Sequence, residues 1–250
     1  MVHHDYDISR LTGVDAPVCE LNFEELPLAQ DEISINMGIQ RYALQSEDDA
    51  RIPLLRDVFK DFPEMPMNID MKGSNDEAIQ KVYDLIVEFQ REDITFWGDM
   101  NENLNLRIKE KGQNRGIRTF SSIKYTFLLC LFYFLGILQF IPIRHHSVWY
   151  PFFGRVKTNA IAKRLGNKCK HRCCICLYSC LTYCMKPMFW HLRRRGVMVI
   201  FWNIDSKDEF QQASRYSVDG MLTDVPSGLR RYADEHRNRP EAETPLNRLS

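Results

Sequence analysis

The chain has 250 residues, of which 44% are hydrophobic and 26% charged, with 33 basic and 33 acidic side chains. This length allows one large domain or two small ones with a substantial core. A net charge of zero gives no reason to expect a nucleic-acid partner. The polar, acidic opening residues predict no secretory signal peptide, and the eight cysteines are expected to be reduced in an intracellular protein.

The charge is distributed unevenly along the chain. Residues 1–100 hold 22 acidic and 8 basic side chains, which leaves 11 acidic and 25 basic ones for residues 101–250. A basic half indicates contact with something anionic, such as phosphate head groups or a membrane surface. A solvated surface without a partner is the alternative.

Six short apolar runs are predicted to be strands. Helical patterns separate several of them: Ile52–Phe59 reads as a short helix, and Asp76–Arg91 carries apolar residues at helical spacing. Strands that alternate with helices predict a parallel α/β sheet, either an open doubly wound sheet or six units of an eight-unit barrel. The six runs are Met1–His4, Met67–Met71, Ile94–Trp97, Ile117–Ser121, Val197–Trp202 and Gly220–Thr223.

The segment Tyr125–Ile143 contains 19 residues and no charge. A membrane-spanning helix needs about 20 apolar residues, and basic residues flank this segment on both sides, including Lys124 and Arg144. Three interpretations compete: a span, a shallow insertion into one leaflet, or a buried helix of the barrel. Shallow insertion agrees best with strands of one domain on both sides of the segment.

A cysteine-rich stretch follows. Five cysteines at spacings of four, three, four and four lie on one helical face: Cys169, Cys173, Cys176, Cys180 and Cys184. Packing of small apolar side chains, S-acylation near the membrane, and zinc binding are the alternatives. Zinc is the least favoured of these because no second ligand pair accompanies the cluster. The polar residues 230–250 are predicted to form a disordered tail after a domain spanning residues 1–229.

A series of short motifs resembles the glycerophosphodiester phosphodiesterase family, in particular its membrane-associated lysophospholipase D type. No single motif is specific to this family, but the order and spacing of the motifs are specific to it. They are VHHD at Val2–Asp5, RIPLLRDVF at Arg51–Phe59, NIDMK at Asn68–Lys72, TFWG at Thr95–Gly98, HLRRRGVMVIFW at His191–Trp202 and DGMLTDVPSGL at Asp219–Leu229.

The resemblance implies a (β/α)8 TIM barrel that hydrolyses glycerol-linked phosphodiesters or lysophospholipids. The products are lysophosphatidate and a head-group alcohol or N-acylethanolamine. It also implies a divalent cation, Mg²⁺ or Ca²⁺, and a membrane-associated intracellular location at the endoplasmic reticulum or perinuclear membranes. A metal and a lysine suit this chemistry because the phosphodiester is an anion, and histidine can supply the leaving group's proton.

Four residues match the family's site. His4, followed by Asp5, matches a catalytic histidine, and Asp70 matches a metal-binding carboxylate. Lys72 and Trp202 match substrate-binding positions. Without the resemblance, Asp70 and Lys72 are equally consistent with a salt bridge on one strand face.

The family's opening H-R-G and E-x-D strands have no counterpart in the sequence. We therefore expect an N-terminally incomplete barrel with about six of eight strands and an apolar, membrane-contacting insertion. A catalytically inactive, membrane-associated binding or regulatory protein is the alternative to an enzyme.

Overall fold

The structure is a computed structural model that describes residues 1–35, 40–46, 50–72, 75–154, 169–216 and 218–237. The chain divides into two compact units, Met1–Trp149 and Tyr150–Ser250.

The first unit contains five α-helices among its described residues: α1 (Ser9–Thr12), α2 (Leu55–Asp61), α3 (Asp76–Glu88), α4 (Glu102–Gly112) and α5 (Ile123–Phe134). Its strands are β1 (Glu32–Ile35), β2 (Gln40–Ala43), β3 (Met67–Asp70), β4 (Thr95–Gly98), β5 (Arg118–Thr119) and the start of β6 (Ser147–Pro151), which crosses into the second unit.

In the second unit, the remaining described helices are α6 (Cys169–Cys184), α7 (Lys186–Arg194), α8 (Lys207–Ala213) and α9 (Pro226–Arg237). The strands β7 (Met198–Trp202) and β8 (Gly220–Met221) pair in parallel, with Ile200 beside Gly220.

The predicted alternation of strands and helices produces a parallel sheet in the first unit. Strands β3, β4 and β5 pair in that order, and a parallel bridge joins Phe120 to Ser147 at the start of β6. Helix α3 begins where the Asn75 side chain accepts a hydrogen bond from the Glu77 N–H, 2.8 Å away. Its apolar residues Ile79 and Ile86 then pack with β3 and β4 in one core, a cluster that also contains Phe59, Met71, Trp97, Leu104, Ile108 and Ile117.

Five of the six predicted strands are present. Four are shorter than predicted, and the one predicted at Ile94–Trp97 lies one residue later, at Thr95–Gly98. The prediction of a strand at Met1–His4 was wrong. These residues form no strand, and the Val2 N–H donates a hydrogen bond to the Pro53 carbonyl at 2.8 Å. The structure adds three strands that the pattern did not indicate, the antiparallel pair β1 and β2 and the strand β6.

The uncharged segment Tyr125–Ile143 is not one continuous helix. Helix α5 ends at Phe134, and the chain then turns through Gly136, whose φ of 70° lies in the left-handed region that glycine adopts easily. Among the described residues, no helix combines the length and the apolar character that crossing a bilayer requires.

Two further predictions concern the second unit. The cysteine-rich stretch is helical, as its spacing predicted, although the side chains of residues 169–176 lie outside the described ones. Residues 230–237, predicted to belong to a disordered tail, are instead helical, because α9 continues through Arg237. Residues 238–250 lie outside the described residues.

Candidate functional site

Asp70 and Lys72 lie together at the carboxyl end of β3, the end at which parallel α/β folds carry their functional groups. The Lys72 ammonium donates a hydrogen bond to Asp70 Oδ2 at 2.5 Å. The other carboxylate oxygen, Oδ1, is buried and has no hydrogen-bond partner within the described structure. The pair therefore leaves one buried carboxylate oxygen without a partner, beside a partly exposed ammonium group.

A third charged residue, Asp99, lies beside this pair. The register of the two parallel strands sets Asp70 opposite Gly98, and Asp99 follows directly at the end of β4. Burial raises the pKa of Asp99, and the Asp70 carboxylate raises it further, against a hydrogen bond from the Asn101 backbone N–H and the charge of Lys72. Asp99 is thus within electrostatic reach of both predicted site residues.

Two asparagines fix the position of Asp99. The buried Asn105 of α4 accepts a hydrogen bond from the Asp99 N–H at 3.2 Å and donates to the Phe120 carbonyl at 2.9 Å. The Asn101 N–H donates to Asp99 Oδ1 at 2.5 Å. The sequence contains a signal for Asp99, since this residue directly follows the TFWG motif, which ends at Gly98.

His4 lies on an exposed loop and is held by its neighbour. Its Nδ1 is 2.7 Å from Asp5 Oδ1, and Asp5 Oδ2 accepts a hydrogen bond from Arg10 Nε at 2.5 Å. Burial raises the pKa of Asp5, but the hydrogen bonds from His4 and Arg10 outweigh it and hold the pKa below its ordinary value. A carboxylate that accepts from Nδ1 leaves Nε2 available for proton transfer.

Trp202 ends β7 in the second unit. Its side chain is half-buried, and its indole N–H is buried with no acceptor within the described part of the chain. Its backbone carbonyl accepts a hydrogen bond from the Phe152 N–H at 2.7 Å. Buried N–H groups normally have an acceptor, so this unpartnered indole N–H suits a residue that lines a polar ligand site.

Of the four predicted site residues, the structure joins only Asp70 and Lys72 directly. Within the described ranges, no hydrogen bond or ion pair links His4 to either of them. The resemblance implies a divalent cation held by three carboxylates, but the described residues include no cluster of three or more metal-ligating side chains. Because such cations take about six oxygen ligands, Asp70 and Asp99 by themselves do not make a complete site.

Comparison with solved structures defines the class of fold. A glycerophosphoryl diester phosphodiesterase described as putative, from Silicibacter pomeroyi, aligns with 94% of this chain and 78% of its own, at a TM-score of 0.57 and 11% identity. The Agrobacterium tumefaciens glycerophosphodiester phosphodiesterase aligns with 93% of this chain and 79% of its own, at a TM-score of 0.53 and 15% identity. The chain therefore has the fold of these phosphodiesterases.

Curated proteins identify the family more closely. Human lysophospholipase D GDPD3 is 31% identical over 236 residues, covering 94% of this chain and 72% of the relative. Human lysophospholipase D GDPD1 is 32% identical over 232 residues, covering 92% and 71%. No family model matches the chain. This protein belongs to the glycerophosphodiester phosphodiesterase family of phosphoric diester hydrolases, on its lysophospholipase D branch.

Proposed function

We propose that this protein hydrolyses lysophospholipids as a lysophospholipase D, releasing lysophosphatidate and the head-group alcohol or N-acylethanolamine. The observation that carries this proposal is the Asp70–Lys72 pair at the carboxyl end of β3, in a chain whose curated relatives are lysophospholipases D. A related phosphodiesterase from Oleispira antarctica was solved in complex with the product sn-glycerol-3-phosphate, which is the chemical core of lysophosphatidate.

Each residue has a role that its surroundings support. The Lys72 ammonium has three N–H donors and gives one to Asp70, so two remain for the oxygens of a phosphodiester. His4, oriented by Asp5, is the proton donor for the leaving alkoxide. Trp202, in the second unit, keeps the substrate-binding role that the family resemblance implies, and its buried indole N–H has no acceptor among the described residues.

The predicted Mg²⁺ or Ca²⁺ is part of the same proposal. Asp70, whose Oδ1 has no hydrogen-bond partner, is the carboxylate that would hold the cation, and Asp99, whose pKa the Asp70 charge raises, is a second candidate ligand. Binding of the cation itself, measured by isothermal titration calorimetry for the wild-type chain and for Asp70→Asn, tests this point without depending on turnover.

The main experiment measures choline release from lysophosphatidylcholine by the purified full chain, with added Mg²⁺ or Ca²⁺ and with a chelator. We expect Asp70→Asn, Lys72→Gln and His4→Ala each to reduce turnover by at least about 100-fold, as the loss of a charge-stabilising or proton-transfer group does. The matched control is Lys81→Gln, which removes an exposed ammonium paired with Glu77. Unchanged turnover in both Asp70→Asn and His4→Ala would refute the assignments.

A catalytically inactive, lipid-binding protein is the second candidate. It is favoured by the ion pair itself, because Lys72 neutralises Asp70, the carboxylate predicted to hold the metal. In that case the chain binds lysophospholipid, and Lys72→Gln weakens the binding, but neither cation produces turnover.

We also propose that the protein docks on a membrane through α5 without crossing the bilayer. The outward face of α5 carries Ile123, Phe127, Leu131 and Phe134 at spacings of four, four and three, all of them exposed. The turn after the helix adds Leu135, Ile137 and Phe140, and we call these seven residues the apolar surface. The cations Lys124 and Arg144, both exposed, suit a bilayer with anionic head groups.

The organelle is predicted from the family alone, as the endoplasmic reticulum or perinuclear membranes. Imaging of a fluorescently tagged full chain tests it, and a diffuse distribution of the tagged wild-type protein would contradict the membrane proposal as well.

A further inference from the structure

The second unit contains a cavity of about 190 Å³ that none of the four predicted site residues lines. Its walls come from the chain after β6, the second half of α6, the start of α7 and the end of α8 with the turn that follows. The residues that line it include Phe152, Tyr183, Lys186, Gln212, Arg215 and Tyr216.

Two cations line this cavity, and no anion among the described residues pairs with them. The half-buried Lys186 ammonium lies 4.7 Å from the ring centroid of Tyr183 and 5.0 Å from that of Tyr216. Arg215 lines the same cavity from the end of α8 and is exposed. Within the described ranges of the chain, no carboxylate forms an ion pair with either cation. The cavity therefore has a local excess of two positive charges.

The remaining walls are aromatic and carry hydrogen-bond donors. Phe152 is buried, with its ring stacked on Phe201 at a centroid distance of 5.1 Å, and Tyr216 meets its edge at 5.8 Å. Burial raises the pKa of Tyr216, so its phenol stays protonated and can donate a hydrogen bond. Gln212 already donates its side-chain amide to the Asp208 carbonyl at 3.2 Å.

We propose that this cavity binds a small phosphate ester. A dianionic phosphate suits one lysine and one arginine, because arginine binds phosphate through paired N–H donors and lysine acts as a point charge. The aromatic wall of Phe152 and Tyr183 then packs against the organic part of the ester. Two sources share this chemistry, a soluble glycerophosphate and the head group of lysophosphatidate. The proposal concerns binding alone and does not require the protein to be catalytically active.

Isothermal titration calorimetry on the full chain tests the proposal, with inorganic phosphate, glycerol 3-phosphate, monomeric lysophosphatidate, and glycerol as the uncharged probe. All titrations use Lys72→Gln as the background, so that binding at the candidate catalytic site does not contribute. The test variant adds Lys186→Gln and Arg215→Gln. The control adds Lys81→Gln and Arg230→Gln, which remove two exposed cations paired with Glu77 and Asp234.

We expect the test variant to weaken binding of glycerol 3-phosphate at least tenfold, the control to leave it unchanged, and glycerol not to bind. Lysophosphatidate binding more tightly than glycerol 3-phosphate identifies a lipid ligand, and equal affinities identify a soluble one. Arg215→Gln alone, at an exposed side chain, provides the same comparison if the double variant does not fold. Equal affinity of the test and control variants, or no binding of any phosphate probe, overturns the proposal.

Discussion

The apolar surface gives a quantitative prediction for membrane docking. Phe127 is 67% exposed and Leu131 is 51% exposed in the folded chain. Full burial of such a side chain contributes about 1.5–3 kcal/mol. Scaled by the exposed fractions, insertion gains about 2 kcal/mol from Phe127 and about 1 kcal/mol from Leu131.

Replacing both residues with serine therefore removes about 3 kcal/mol of docking free energy, which corresponds to a roughly 100-fold weaker partition onto vesicles. Because both side chains point away from the core of the first unit, the free energy of unfolding changes little. The assay is co-flotation with vesicles of phosphatidylcholine containing an anionic lipid, performed over a range of lipid concentrations.

The matched control is Tyr6→Ser with Leu28→Ser, which removes an aromatic and an aliphatic side chain that are 76% and 50% exposed on the N-terminal segment. We expect this control to bind vesicles like the wild type. If the two double variants lose binding equally, or if Phe127→Ser with Leu131→Ser binds as tightly as the wild type, the assignment of this surface is refuted.

Three predictions concern the first unit's stability. Arg91 is buried and donates to three backbone carbonyls in the chain before β3, so Arg91→Met should lower the free energy of unfolding by about 3–5 kcal/mol in urea titrations. The exposed Arg115→Met serves as its control, and a loss below about 1 kcal/mol would contradict the reasoning. Burial lowers the pKa of His145 to about 4, so the unfolded chain binds a proton first as the pH falls below 6.5, and stability declines from there toward pH 4. His145→Gln should flatten this decline in thermal melts between pH 6.5 and 5, and an unchanged slope would exclude the effect. A Cβ added at Gly112 would lie 2.9 Å from Trp97 Cζ2, so Gly112→Ala should destabilise the chain by about 1–3 kcal/mol despite its better helix propensity; a higher melting temperature would show that the contact relaxes.

The sequence predicted the regular elements best where one local signal was strong. Helix α3 follows from the spacing of its apolar residues, and β3 follows from the short apolar run at Met67–Met71. The prediction of a strand at Met1–His4 failed because an apolar run becomes a strand only when a neighbouring strand forms hydrogen bonds with its backbone N–H and C=O groups. At Met1–His4 the only such contact described near the start is the single hydrogen bond from Val2 to Pro53.

The uncharged segment shows the limit of composition as a guide. Its hydrophobicity is compatible with a span, an inserted helix or a buried helix, since all three need apolar residues. The tertiary structure instead determines which side chains of the segment are buried and which are exposed. Tyr125 and Leu129 are buried, whereas Phe127 and Leu131 are exposed, and Gly136 ends the helical segment with a turn.

At the candidate site, the sequence by itself determined that a carboxylate and a lysine lie two residues apart at the end of an apolar strand. Side chains alternate along a strand, so this spacing places both on one face. Only the tertiary structure decided which charge joins them. The pairing of β3 with β4 brings Asp99 beside Asp70, although 29 positions separate them in the chain. Local patterns fix the period and the ends of an element, but the register between two strands depends on packing and hydrogen bonds distributed over the whole sheet.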